Sequence, residues 1–299
     1  MDNLAQQRTR QGVIFAIMAY TMWGIAPIYF KVLSSVPAIE ILMHRIIWSF
    51  FLLAGLIHFG QGWRSFQEIL KSKTKLVYLI TSSLLIGINW LIFIWAVNSN
   101  HMLEASLGYY INPIINVMLG MVFLSERLRP VQWIAVALAF CGVVIELIAF
   151  GSIPYISFAL ACSFGGYGLL RKKVNLDAQT GLFVETLLLL PLAVIYWAFF
   201  THSDTSNMFN NSWDLNTLLL LAGAITTAPL LCFTGAATRI KLSTLGFFQY
   251  IGPSLMFILA ITVYGEHFSI NKAVTFLFIW AALVVFSFDG IKNARSNRK

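Results

Sequence analysis

The segment VQWIAVALAFCGVVIELIA, residues 131–149, contains one ionisable side chain, Glu146, and no proline. A bilayer hydrocarbon core about 30 Å thick is crossed by about 20 apolar residues in α-helix, so the segment has the length and composition of a membrane span. Strict alternation of apolar and polar residues over about ten positions, the mark of a membrane β-strand, is absent. Comparable stretches precede it near 12–32, 39–59, 76–97 and 104–124. Others follow near 153–170, 181–200, 215–236, 244–264 and 273–290. The sequence predicts an all-α membrane protein with ten transmembrane helices.

Composition points the same way. Of 299 residues, 59% are hydrophobic and 11% charged, and the mean hydropathy is +0.78, whereas soluble chains are about one quarter charged. A soluble fold of this size has no core large enough to hide that much apolar surface. The net charge of +8 suits the cytoplasmic loops of a membrane protein. No basic run is interleaved with stacking aromatics outside the spans, which argues against a nucleic-acid partner. Cys141, Cys162 and Cys232 lie far apart in apolar stretches, with neither metal-ligand spacing nor a disulfide framework. They read as buried small hydrophobic residues. Arg8 and Arg10 precede an apolar run too long for a signal-peptide core and without a cleavage pattern before Lys31, so that run is the first span.

Orientation follows from Lys and Arg. With the N-terminus inside, inner segments hold every Lys and Arg except Lys31, Arg45 and Lys272. Arg64, Lys71, Lys73 and Lys75 share one inner segment, Arg127 and Arg129 the next, Arg171, Lys172 and Lys173 the third, and Arg239 and Lys241 the fourth. The outer segment 201–214 has no Lys or Arg. By the positive-inside rule, both termini are cytoplasmic and the number of spans is even.

The chain also repeats itself. An offset of 140 residues aligns Tyr110-Ile111-Asn112-Pro113 with Tyr250-Ile251-Gly252-Pro253, Glu126 with Glu266, Phe93 with Phe233 and Ala96 with Ala236. Trp23-Gly24 matches Phe164-Gly165 at an offset one residue longer, and both stretches end in a basic residue, Lys31 and Lys172. Two homologous halves are expected, 1–150 and 151–299. Five spans per half start the second half on the opposite side of the membrane. The halves are then inverted repeats about an axis in the membrane plane, an arrangement that supports alternating access around a midplane site.

Leu103-Glu104-Ala105-Ser106-Leu107-Gly108-Tyr109, with Pro113 and Glu126 behind it, resembles an EamA domain. Two in tandem resemble the ten-helix branch of the drug/metabolite transporter superfamily. Within that branch, Trp23-Gly24-Ile25-Ala26-Pro27, His44-Arg45, Asn89-Trp90 and Leu245-Gly246-Phe247-Phe248-Gln249-Tyr250 look like the RarD subfamily. The likeness runs from the first span through the tenth. It implies a permease of the inner (plasma) membrane, an exporter of metabolites or drugs, with no cofactor. The subfamily name carries a link to chloramphenicol sensitivity, which does not define a natural substrate.

Intramembrane polar residues are the candidates for a pathway, because a charge at helix centre costs about 2.5–3.5 kcal/mol on insertion scales. His44 and Arg45 lie about 10 Å along the second span from its outer end, at 1.5 Å per residue. Glu40 is on the same face as His44, so an ion-paired cluster is one expectation. Arg45 either binds solute or serves structure, snorkelling or closing a salt bridge. Trp23, Trp90, Tyr109, Tyr110, Phe247, Phe248, Gln249 and Tyr250 form a candidate aromatic cavity, with interfacial belts as the alternative. Asn89, Asn112 and Asn116 are polar contacts to solute or helix–helix hydrogen bonds. Pro113 and Pro253 free backbone carbonyls inside spans, which makes them candidate hinges or cavity-lining bends rather than packing kinks alone. Glu185 and Glu146 are candidates for a coupling proton, because burial raises a carboxylate pKa. Glu126 and Glu266, at helix ends, suit capping or pairing between repeats.

No Gly is followed by Lys, so there is no P-loop. An intramembrane enzyme is the alternative, but neither a His-Glu-x-x-His nor an Asp-rich pair is present. A receptor or scaffold leaves the duplication unexplained. The expected function is secondary active transport of a small metabolite or drug-like solute, and not enzyme catalysis.

Overall fold

The computed structural model describes residues 2–60, 62–99, 101–201, 203–263 and 270–296. Among them are helices α1 (Asp2–Val32), α2 (Ala38–Phe59), α3 (Trp63–Lys71), α4 (Lys73–Asn98), α5 (Met102–Leu124) and α6 (Pro130–Phe150). The second half carries α7 (Tyr155–Val174), α8 (Ala178–Phe200), α9 (Trp213–Ala237), α10 (Leu242–Gln249), α11 (Ile251–Thr262) and α12 (Ile270–Ser296). Among the described residues there is no strand. Nine segments among the described residues are long and apolar enough to cross a membrane, one each in α1, α2, α4, α5, α6, α8, α9 and α12 and one, Leu242–Leu259, running across α10 and α11. Their most apolar windows are only 22% to 56% buried, and Phe59, Ile148 and Phe199 stand on the outside of the bundle. Apolar surface on that scale requires lipid, and the chain is a multi-pass membrane protein.

The predicted sixth span is α7, which is 20 residues long but not among the nine apolar segments. It is rich in Gly and Ser, ends in Arg171-Lys172-Lys173, and buries Ser157, Gly165, Gly168 and Arg171. It packs on α4 and α5, where small residues let backbones approach. A Cβ on Gly165 would lie 2.9 Å from the Ile115 side chain. A helix that presents so much of itself to protein has less need of an apolar surface. The predicted ninth span is divided at Tyr250, where the Tyr250 N–H turns back to the Phe247 carbonyl at 3.3 Å. Pro253 has no N–H to offer the Gln249 carbonyl, and the helix restarts beyond the break. Pro113, by contrast, lies inside an unbroken α5. The segment around Arg64 is itself helical, α3, with Ile69 buried against Leu79 and Val184.

Helices α2, α4 and α5 start at 38, 73 and 102, and α8, α9 and α10 start at 178, 213 and 242, each 140 residues later. The main packings join one half to the other: α6 with α12, α5 with α7, α4 with α7, α2 with α9, α1 with α9, α2 with α8, α5 with α10, α1 with α11 and α4 with α8. Counting α10 and α11 as one span, exchange of the halves turns this set of pairings into itself. Tyr110 and Tyr250, matched in sequence, touch: the Tyr250 hydroxyl donates to the Tyr110 carbonyl at 3.2 Å.

Glu126 caps α10, accepting from Leu242 N at 2.7 Å, Ser243 N at 3.0 Å and Ser243 Oγ at 2.7 Å. This is the expected end-capping and inter-half role. Glu266 lies outside the described residues. The expectation of buried cysteines is not met: Cys141 and Cys162 are exposed on the bundle surface and Cys232 is half-buried. In lipid an apolar side chain need not be interior, so hydrophobicity alone did not locate them.

Candidate functional site

Two charged side chains, Arg45 and Glu185, share one internal cleft with Trp90, Tyr167, Thr226 and Thr227. Its interior of about 20 Å³ admits about one water molecule. Arg45 projects from α2, and its Nε donates to Thr226 Oγ1 on α9 at 2.8 Å. The Thr226 hydroxyl is fixed in turn, donating to the Ala222 carbonyl at 2.8 Å. The guanidinium lies 5.3 Å from the Trp90 ring centroid and 5.7 Å from that of Phe30, a cation–π setting that partly replaces water. The Tyr29 and Tyr109 phenols lie near it. Among the described residues no carboxylate forms an ion pair with Arg45.

No salt bridge joins Glu40, His44 and Arg45 among the described residues, although Glu40 lies close enough to act on His44 electrostatically. Glu40 instead accepts a hydrogen bond from Ser203, in the segment between α8 and α9. His44 is buried, accepts from Trp48 Nε1 at 3.1 Å, and faces Trp197 rather than the cleft. One helical position rotates a side chain by about 100°, so neighbours in sequence serve different faces.

The structure divides the predicted aromatic cavity into several sets. Trp23 joins Tyr20, Phe164 and Phe233 in an aromatic wedge between α1, α7 and α9. Phe247 stacks on Phe286 of α12 at 4.0 Å, and Tyr110 packs on Phe276. With Tyr250 they fill the contact between α5, α6, α10 and α12, apart from Arg45. The amides bridge helices: Asn89 donates to the Leu160 carbonyl and Ser163 Oγ, both at 2.9 Å. Asn112 donates to the Ala161 carbonyl at 3.0 Å, and Asn116 to Asn112 at 2.9 Å and Gln249 at 3.1 Å. Glu146 accepts from Thr275 on α12 at 3.1 Å, away from the cleft.

Glu185 is the predicted acid that does reach the cleft. It accepts hydrogen bonds from Ser82 on α4 and from Tyr167 on α7, the latter at 3.3 Å. Arg171 Nη1 lies 3.6 Å from its Oε1, with the arginine side chain fully buried. Reading Arg171 as one more basic loop residue missed this. Its neighbours Lys172 and Lys173 masked it, although Gly181, whose Cβ would meet Arg171 Nη1 at 2.1 Å, marks the space that the guanidinium fills.

A lipid-embedded helical bundle closed around an oppositely charged cleft has the architecture of a membrane transporter. The model of the EamA-like transporter family matches residues 10–148. Over 294 residues the chain is 62% identical to an uncharacterized transporter of Vibrio cholerae, covering 98% of this chain and 97% of the relative. It is 55% identical to Protein RarD of Escherichia coli, covering 98% and 99%, and 28% identical to the chloramphenicol-sensitive protein RarD of Pseudomonas aeruginosa, covering 97% of each. A solved crystal structure with 16% identity shares the fold, with a TM-score of 0.71 over 92% of this chain and 96% of that one. The chain belongs to the EamA-like transporter family of the drug/metabolite transporter superfamily, among the RarD proteins.

Proposed function

We propose that the protein is a secondary active transporter of the inner membrane that exports a small carboxylate-bearing solute, an amino acid or organic anion, by alternating access. The observation that carries the reading is Arg45, a guanidinium in the internal cleft with no carboxylate partner among the described residues. A planar fork of donors suits bidentate binding of a carboxylate. Trp90, Tyr109 and Thr226 would line the solute's path, whereas the Asn89, Asn112 and Gln249 amides hold helices in place. The protein is then a carrier rather than an enzyme. Chloramphenicol, named in one relative, is neutral and is a second test solute that would enter by the aromatic wall.

The ten-span reading has α7 as its sixth span and two inverted repeats, 1–150 and 151–299, with both termini in the cytoplasm. The 140-residue helix spacing and the exchange of pairings support it. A cysteine introduced at Asn207 should react with an impermeant thiol reagent applied to intact cells, and one at Ser72 should not. Labelling of Ser72→Cys from outside would reverse the orientation.

Pro253, in the first turn of α11 just after the break at Tyr250, is the better-supported hinge of the two prolines. In sealed proteoliposomes holding only this protein, radiolabelled amino and organic acids should cross, with competition by free acids and not by their methyl esters. Pro253→Ala should slow that flux severalfold. Movement of esters and acids alike would remove the carboxylate specificity.

A further inference from the structure

Arg45 and Glu185 stand 140 residues apart, the offset that relates the starts of α2 and α8. The same offset pairs further residues of the cleft wall: Ile46 with Thr186, Ser49 with Leu189, Ile86 with Thr226, and Trp90 with Leu230. One set of positions therefore builds the cleft twice, with a cation at the α2 position and a carboxylate at the α8 position. Each charge ties its helix to a neighbour: Arg45 joins α2 to Thr226 on α9, and Glu185 joins α8 to Ser82 on α4. Those two helix pairs are themselves exchanged by the offset. Both ties are closed at once around a space for about one water.

We infer that Glu185 is the coupling-proton site and inner gate of this cleft, the counterpart of an outer gate at Arg45. The inference rests on the alternating-access reading. A hydronium ion in inner-side water gives up one O–H bond as its proton forms an O–H bond with the Glu185 carboxylate, water is left behind, and the Arg171–Glu185 pair goes from neutral to a charge of +1. Arg171 then becomes an uncompensated charge in a fully buried position, a situation that folded proteins strongly disfavour. Nothing nearby compensates it, since Nε, Nη1 and Nη2 have no hydrogen-bond partner among the described residues. Protonation also makes one of the two carboxylate oxygens a donor, which weakens the hydrogen bond it accepts from Ser82 or from Tyr167. The relief is separation of α8 from α4 and α7, which admits water to Arg171 from the inner side. Deprotonation restores the pair and closes the gate.

The groups around Glu185 that bear on its titration are few. From α7 it faces Arg171 and Tyr167, and from α4 only the Ser82 hydroxyl. Across the cleft, α2 presents Arg45 and α9 presents Thr226 and Thr227. His44 meets α8 at Trp197, about three turns further along. On α3, Arg64 and Glu68 are exposed and pair with each other at 3.6 Å.

The test is Leu182→Cys, on the cleft wall one turn from Glu185 towards the start of α8, in a chain carrying Cys141→Ser, Cys162→Ser and Cys232→Ser. Its reaction with an impermeant thiol reagent is timed in inside-out vesicles between pH 8 and pH 6, corrected for the reagent's own pH dependence on an exposed cysteine. With Glu185 present, labelling should accelerate severalfold on acidification. With Glu185→Gln, a permanently neutral mimic, it should be fast at every pH, and Glu185→Asp should restore pH dependence with a displaced midpoint. If Glu185→Gln is not recovered in the membrane, Ser82→Ala and Glu185→Asp carry the test, each expected to move the midpoint. Unchanged pH dependence in Glu185→Gln, or in both substitute variants, overturns the inference. Because labelling needs no solute, a pH-gated Leu182→Cys together with absent acid flux would count against the carboxylate specificity and leave the gate standing.

Discussion

Arg45→Ala should abolish flux of carboxylate solutes in proteoliposomes while the protein still inserts and elutes as wild type. The guanidinium is held by one hydrogen bond, to the uncharged hydroxyl of Thr226, and by the faces of Trp90 and Phe30. Its removal breaks no ion pair among the described residues, so the fold loses little. The solute loses its charge partner, and hydrogen bonds to charged groups are each worth about 1.5–3 kcal/mol. One such bond corresponds to about 10- to 100-fold in affinity at 1.4 kcal/mol per decade. Arg45→Lys keeps the charge but has no planar fork, and should raise KM by about tenfold with expression unchanged. His44→Gln should leave the pH profile of flux unchanged, since the imidazole is buried between Trp48 and Trp197 and does not line the cleft. Wild-type KM in Arg45→Lys and wild-type flux in Arg45→Ala would make the residue purely structural.

The second large effect is expected at Gly223→Ala, where α9 crosses α2. A Cβ there would sit 2.5 Å from the backbone carbonyl carbon of Trp48, 2.6 Å from its Cβ and 2.8 Å from the Ser49 nitrogen. These are backbone or near-backbone atoms, which have no rotamer to change, so the helices themselves must part. The Ser49 hydroxyl bond to the Gly223 carbonyl, 3.1 Å, would be lost. One turn along each helix, the Arg45–Thr226 contact would be misaligned. Overpacking of this kind costs about 1–3 kcal/mol, at about 2–4 °C per kcal/mol for a chain somewhat smaller than this one. The thermal midpoint in detergent should drop by several degrees, and flux should fall with it. Gly55→Ala, also on α2, is the control, because a Cβ there meets nothing within 4 Å. Equal midpoints for the two variants would mean that the crossing is looser than its geometry.

Most of the fold was legible because a span needs only length and apolar composition, which can be read without knowing any partner. Tyr110-Ile111-Asn112-Pro113 and its later counterpart disclosed the offset that helix starts repeat. The site was less legible for a reason specific to lipid: both faces of a span are apolar, so Phe247 against α12 and Trp90 beside Arg45 look alike in sequence. Glu185 was found by its position within a span, but its partner was not. A buried Arg171 is indistinguishable from a loop residue when two lysines follow it. One signal was present and unused. The offset that matched the tyrosines also carries Arg45 onto Glu185, and applying it to every intramembrane charge would have paired them.

The interlocked packing bears on how the chain is made. Spans emerge from the ribosome in order, yet α1, α2, α4, α5 and α6 have their principal partners in the second half. Gly24 in α1, for example, is shaped to receive Leu255 of α11, which is synthesised much later. Until then the first five spans sit in the bilayer with small-residue grooves and amides such as Asn89 without their later partners, exposed to mispairing in the way that long-range topologies are. Biogenesis of this transporter is therefore a waiting problem, in which early helices must be kept apart from wrong neighbours until the late ones arrive.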